Sequence, residues 1–246
     1  MIKNRFLWIL LITSIFYWNC GSAYNLRKAA EKGQILKVTT LLEASADLES
    51  TNSLGETPLI IATKQGYTEI VQLLLQNGAN LEAKDKMART ALHWAVKYRN
   101  LDIAKILLEA KANVDAQDTT WNTPLYYASE LGHVDMVNIL LTFNPKTYSQ
   151  NLYGNTALMI SSQKGFIQLT KLLLSANAKV NAQNQNGMTA SMFAAQNGRV
   201  EIVKLLLEAG ADPNITDNQN QNTEMHASKN GQTKVRLLLL QFTDKQ

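Results

Sequence analysis

Five threonines, Thr57, Thr90, Thr123, Thr156 and Thr189, stand 33 residues apart. Each opens a segment of one kind: Thr57-Pro58-Leu59, Thr90-Ala91-Leu92-His93, Thr123-Pro124-Leu125, Thr156-Ala157-Leu158 and Thr189-Ala190-Ser191. Nine residues further on come Gly66, Arg99, Gly132, Gly165 and Gly198. Leucine pairs follow at 74–75, 107–108, 140–141, 173–174 and 206–207. Gly78-Ala79-Asn80 recurs as Gly210-Ala211-Asp212, with a weaker copy at Asn177-Ala178-Lys179. A fixed period with this many coincident positions means one supersecondary unit repeated, each copy burying its apolar face against the next.

The unit reads as two short helices. Threonine offers its hydroxyl to free backbone N–H groups at a helix start, and proline at the first helical position has no N–H to leave unpaired. Three of the five full repeats carry alanine there instead. Ala62, Ala95, Ala128 and Ala194 are small where helices approach closely, with Ser161 the exception. The leucine pair, with Ile70-Val71 or Ile103 one turn earlier, gives the second helix an apolar stripe at helical spacing. That helix must then end in a left-handed residue, and the chain supplies Ser45, Gly78, Lys111, Asn144, Asn177 and Gly210. At Lys111 this conformation costs about 1 kcal/mol.

These motifs resemble the ankyrin repeat, a β-turn followed by two antiparallel helices, over residues 24 to 242. The resemblance implies an all-α, ankyrin-repeat solenoid of stacked helix-turn-helix units joined by β-turn hairpins. Full repeats fall at 52–84, 85–117, 118–150, 151–183 and 184–216. A degenerate opening half, 24–51, keeps Ala29-Ala30, Gly33 and Leu41-Leu42. A degenerate closing repeat, 217–246, keeps Gly231 and Leu239-Leu240 but reads as shifted around Thr223, which leaves its first helix open. Terminal repeats are irregular because each exposes a face that inner ones bury. In the fourth repeat, 118–150, Trp121 takes the place of the turn glycine, and its end reads Asn144-Pro145-Lys146-Thr147-Tyr148. Proline fixes the backbone and removes a donor, so the hairpin into the next repeat should be misshapen.

The first residues read differently. Lys3 and Arg5 precede an apolar run from Phe6 to Trp18, broken only by Thr13 and Ser14. A run of about 13 residues suits a signal-peptide core and falls short of the roughly 20 that span a bilayer. Cys20, the single cysteine, follows directly. This resembles a bacterial lipoprotein signal, in which the cysteine thiol takes a diacylglyceryl group and cleavage falls before it. Tyr17, Trp18 and Asn19 depart from the usual box of small residues. The expected organisation is a signal peptide over 1–19, a tether over 20–23 and a repeat domain over 24–246. The resemblance implies a bacterial cell-envelope protein, membrane-anchored and facing periplasm or exterior. Gly21-Ser22-Ala23 offers a competing cut after Ala23, which would leave the protein secreted or soluble in the periplasm.

Chemistry is sparse. One cysteine forms no internal disulfide, and His93, His133 and His226 are far apart, so neither a metal nor a cofactor is expected. No nucleophile elbow or phosphate loop occurs, and an enzyme is not expected. His93 occupies the Thr-x-Leu-His position, where the ankyrin resemblance implies a hydrogen bond to the neighbouring turn, and His133 reads as a solvated edge residue. Glu69, Asp102, Asp135 and Glu201 recur where acids favour a helix N-terminus. Net charge is +4, or +2 without Lys3 and Arg5, too weak and scattered for nucleic acid.

The ankyrin resemblance implies a binding surface built from the turn tips and first-helix ends, on a concave face. The side chains expected there are Leu54, Lys86, Met87, Arg89, Lys97, Tyr98, Trp121, Leu152 and Tyr153. Aromatics, Met and Arg are enriched at interfaces, and a mixed apolar and basic centre suits a partner with an acidic rim. The expected function is a monomeric, non-catalytic module that binds another protein and meets the membrane only through lipid on Cys20. An exported effector acting on a host or competitor protein, or an accessory to a neighbouring enzyme, shares the same scaffold.

Overall fold

The computed structural model describes residues 25–243. The signal segment, Cys20 and the tether lie outside the described residues. The chain divides into two compact blocks, an N-terminal one ending at Asn113 and a C-terminal one beginning at Val114.

The N-terminal block contains α1 (25–31), α2 (Ile35–Glu43), α3 (Pro58–Gln65), α4 (Thr68–Gln76), α5 (Ala91–Lys97) and α6 (Leu101–Glu109). Here α3 packs on α5, while α2, α4 and α6 form a second row. The C-terminal block contains α7 (Pro124–Leu131), α8 (Val134–Leu141), α9 (Ala157–Lys164), α10 (Ile167–Ser175), α11 (Ala190–Gln196), α12 (Val200–Glu208), α13 (Thr223–Lys229) and α14 (Thr233–Thr243). Its first row is α7, α9, α11 and α13, and its second is α8, α10, α12 and α14. No strand occurs among the described residues.

Local chemistry starts and stops these helices as the period predicts. The hydroxyls of Thr57, Thr123, Thr156 and Thr189 accept N–H bonds from Ile60, Tyr126, Met159 and Met192. Each such cap contributes about 1 kcal/mol. Thr90 and His93 form a capping box, in which His93 Nδ1 accepts the Thr90 N–H at 3.2 Å. All six expected left-handed terminators have positive φ: 56° at Ser45, 87° at Gly78, 73° at Lys111, 52° at Asn144, 56° at Asn177 and 87° at Gly210. Glu69, Asp102, Asp135 and Glu201 lie in the first turns of α4, α6, α8 and α12.

The first leucine of each pair forms the core. Leu74, Leu107, Leu140, Leu173 and Leu206 are all fully buried. Ser161 keeps its place between helices because a second polar residue answers it. Its hydroxyl lies 3.2 Å from that of Thr170, which replaces the apolar Val71, Ala104, Val137 and Val203 of other repeats. A buried hydroxyl needs such a partner.

The hairpin after α8 is altered as expected. After α4, Gly78 and Ala79 donate to the carbonyls of Leu75 and Leu74. After α8, Pro145 occupies the place of Ala79 and has no N–H to give. Thr142, Phe143 and Asn144 instead each bond three residues back, to Ile139, Leu140 and Leu141. The closing repeat corrects the sequence reading. Its period is intact, because Asn222 stands where the cap threonine would and accepts the Met225 N–H at 3.0 Å. Thr223 is simply the next residue, buried, with its hydroxyl 3.0 Å from that of Ser191.

Candidate partner-binding surface

One column of side chains holds every turn. Asn52, Asp85, Asp118, Asn151, Asn184 and Asp217 are 33 residues apart, and the Oδ1 of each accepts two backbone N–H groups, two and four residues on. This Asx arrangement satisfies backbone donors that no helix can use.

The remaining atom of each side chain sorts the repeats. A carboxylate leaves an acceptor over, and the residue nine positions on supplies a donor. Trp94 Nε1 donates to Asp85 at 3.0 Å, Tyr127 Oη to Asp118 at 2.7 Å, and His226 Nε2 lies 2.8 Å from Asp217. Where the turn residue is asparagine, that position holds Ile61, Ile160 or Phe193, and the amide donates elsewhere. Asn52 reaches Glu56 at 2.8 Å, Asn151 reaches Asn122 at 3.1 Å, and Asn184 reaches Asn155 at 2.7 Å. Burial pushes Asp118 upward in pKa, but hydrogen bonds from Tyr127, Thr120 and Asn122 outweigh it and leave the carboxyl below the usual 3.8. Asp217 shows the same balance: burial raises it, while the Gln221 and Gln219 N–H groups and His226 bring it below 3.8.

On the N-terminal block, three cations gather over the buried Trp94. Arg89 Cζ lies 4.0 Å, Lys64 Nζ 4.4 Å and Lys97 Nζ 5.0 Å from its ring centroid. Tyr98 stacks on the same indole at 5.6 Å. Arg89 is paired with Asp85 at 2.9 Å, and Lys64 with Glu56. The Lys86 N–H donates to the Leu54 carbonyl at 3.0 Å, joining two turn tips. Of the residues expected here, Arg89, Lys97 and Tyr98 converge on Trp94, while Leu54, Met87 and Lys86 are exposed on the tips. Glu56 is buried against Lys64 and Asn52.

On the C-terminal block, Trp121, Leu152 and Tyr153 are exposed as expected. The Leu152 N–H donates to the Thr120 carbonyl at 2.8 Å, setting Leu152 beside the Trp121 turn. Trp121 has a φ of 61°, in the column where Gly55, Gly154 and Gly187 sit. A Cβ on Gly154 would approach the Gln185 backbone nitrogen to 2.7 Å, so the column favours glycine twice over. A bulky side chain there is held against backbone strain. Ala88 and Asn220 occupy the same column at φ 56° and 58°. Tyr148 is also exposed and was not anticipated. His133 is half-buried at the start of α8 rather than solvated.

Trp94 and the Asx column are the site residues that sequence reasoning missed. The spacing of 33 was the available signal for the column. For Trp94 the signal was an indole nine residues after an aspartate. Among the described residues, no group of three His, Cys, Asp or Glu side chains could hold a metal ion. No helix among them is long and apolar enough to cross a membrane.

Rows of paired helices on a repeated, side-chain-locked turn define a helical repeat protein. The family model described as "Ankyrin repeats (3 copies)" matches residues 26–118, 113–184 and 158–246, and the chain belongs to the ankyrin-repeat family. Its fold is the all-α ankyrin-repeat solenoid. It is similar to the ankyrin repeat domain of Bcl-3, described as a unique member of the IkappaB protein family. The two share 26% identity with a TM-score of 0.79, over 86% of this chain and 97% of that one. No curated protein matches the chain. Ankyrin repeats are protein–protein interaction modules.

Proposed function

We propose that this protein is a non-catalytic docking module, lipid-anchored outside the cytoplasm of a bacterium, that binds one partner protein through its turn tips and first-helix ends. The observation that carries the reading is the set of large side chains left exposed on those tips, above all Trp121. It is 53% exposed and held at positive φ, a cost that local folding does not repay. Leu54, Met87, Tyr98, Leu152 and Tyr153 extend the same character over tips of both blocks. Aromatics of this kind dominate interface energetics. Tyr98→Ala combined with Tyr153→Ala is expected to abolish co-purification of the native partner while circular dichroism stays unchanged. Capture that survives this pair sinks the assigned surface.

The anchor rests on Cys20, the single thiol, set directly behind an apolar run with Lys3 and Arg5 before it. Each buried methylene contributes about 0.8 kcal/mol, so two or three acyl chains hold a protein on a membrane almost permanently. Metabolic labelling with a clickable fatty acid should mark the wild-type chain and not Cys20→Ala. An unlabelled wild type returns the protein to the secreted alternative, with the cut after Ala23.

A further inference from the structure

The N-terminal block concentrates charge around one aromatic side chain. Trp94 is only 5% exposed, yet Arg89, Lys64 and Lys97 all lie within 5.0 Å of its ring centroid. The face of an indole attracts cations, and here it holds together three like charges that would otherwise spread apart. Asp85 and Glu56 neutralise Arg89 and Lys64. Lys97, Lys86 and Arg27 pair with no carboxylate among the described residues.

This surface is continuous. Lys64 also lines a cleft of about 590 Å³ whose wall includes Arg27, Leu54 and Glu56. Leu54 is tied to Lys86 through the backbone bond between their turns. Apolar area runs alongside, since Leu54, Met87 and Tyr98 are 57%, 47% and 50% exposed.

We infer that this surface receives an acidic, extended peptide segment of the partner, with its carboxylates on Lys86, Lys97 and Arg27 and an apolar side chain against Leu54, Met87 and Tyr98. The assignment rests on the docking function proposed above and names the chemistry of its ligand. The cations without a carboxylate partner are few and lie among exposed apolar side chains, with the exposed Glu31 beside the Arg27 cleft, which favours a peptide over a nucleic acid. A duplex presents one charge about every 1.7 Å and needs a denser basic stripe, whereas a peptide can set one apolar residue against Leu54, Met87 and Tyr98 and a few carboxylates against the cations. Trp94 is too buried to stack a base.

The test measures fluorescence anisotropy of the full processed chain with a short, fluorescein-labelled, Asp/Glu-rich peptide carrying one leucine, and with its Asn/Gln analogue. The acidic peptide should bind at low salt and weaken steadily as salt rises, and the analogue should bind far less well. Lys86→Glu combined with Lys97→Glu should weaken binding about tenfold or more, as two attractions become repulsions. Lys105→Glu combined with Lys171→Glu makes the same change of net charge on second-row helices and should leave binding within about twofold. Equal binding of the amide analogue overturns the assignment, as does equal loss in both charge variants. Tighter binding of duplex DNA or of phosphatidylglycerol vesicles does so too. Retention of the native partner by the Lys86/Lys97 variant, with its loss from the Tyr98/Tyr153 variant, would remove the acidic chemistry and leave the docking function standing.

Discussion

Lys64 and Lys97 lie at the ends of α3 and α5, with Glu31 at the matching place in α1, whereas Glu130, Gln163, Gln196 and Lys229 hold that place in the C-terminal block. Lys86 on the tips is matched there by Thr119, Leu152, Gln185 and Asn218, and Arg89 by Asn122, Asn155, Met188 and Gln221. Beneath both edges lies the same turn, locked by the same Asx oxygen. The difference begins at the second side-chain atom. In the N-terminal block Asp85 draws in Trp94 and Arg89, and the indole then collects cations. In the C-terminal block Asn151 and Asn184 pass their amides to Asn122 and Asn155, a neutral ladder that attracts no counter-charge. Asp118 and Asp217 take Tyr127 and His226 in the C-terminal block, so it is the Asp85–Trp94 pair, with Arg89, Lys64 and Lys97 around the indole, that roots the charged surface.

The turn lock itself should show the largest effect. Asp118→Ala leaves the Thr120 and Asn122 N–H groups and the Tyr127 hydroxyl without their acceptor, a loss of about 3 kcal/mol in urea unfolding. Asp118→Asn keeps Oδ1 and should cost about 1 kcal/mol. Pairing it with Tyr127→Phe tests whether the carboxylate and its donor act as a unit, since their double-mutant cycle should then show coupling. An additive cycle would show that the two side chains contribute independently.

Acid should act on the same residues. Asp118 and Asp217 have folded pKa values below the unfolded 3.8. Their stabilisation is complete above that unfolded value and drains away as pH falls through the lower folded ones. Unfolding free energy should therefore decline below about pH 4, and Asp118→Asn should flatten that decline. An unchanged slope would show that Asp118 does not contribute.

Trp121→Gly should raise stability by about 1 kcal/mol in the same urea assay, because glycine accepts φ of 61° without strain. It should also weaken partner capture. A loss of stability instead would make Trp121 a structural element of the C-terminal block.

The smallest effect concerns one missing rung. The side chains of Glu49, Glu82, Asp115 and Asn181 each accept a backbone N–H from the next repeat, at 2.8 to 2.9 Å. Tyr148 holds that place in the fourth repeat and meets the next one through Lys179, 4.8 Å from its ring centroid. Tyr148→Glu restores an acceptor, and thermal unfolding should report a gain of about 0.5 kcal/mol after loss of the cation–π contact. No gain would mean that the two rungs are equivalent.

The period of 33 carried the helix starts, the left-handed ends and the exposed tips, down to the unfavourable lysine at 111. These are local matters, settled within one turn of backbone, and a local rule can be read from neighbouring letters. The same reading misjudged the closing repeat because it sought threonine at 222, where asparagine does the same capping. Nothing nearby in sequence announces that Glu56 is buried against Lys64. Tertiary structure alone decided that Lys64 joins Arg89 and Lys97 on one indole, that Asn151 meets Asn122, and that Tyr148 meets Lys179. Many of these contacts join residues roughly one repeat apart, so they exist only once helices have stacked. Sequence determined the repeating unit, and stacking determined which side chains of successive units could reach one another and with what charge.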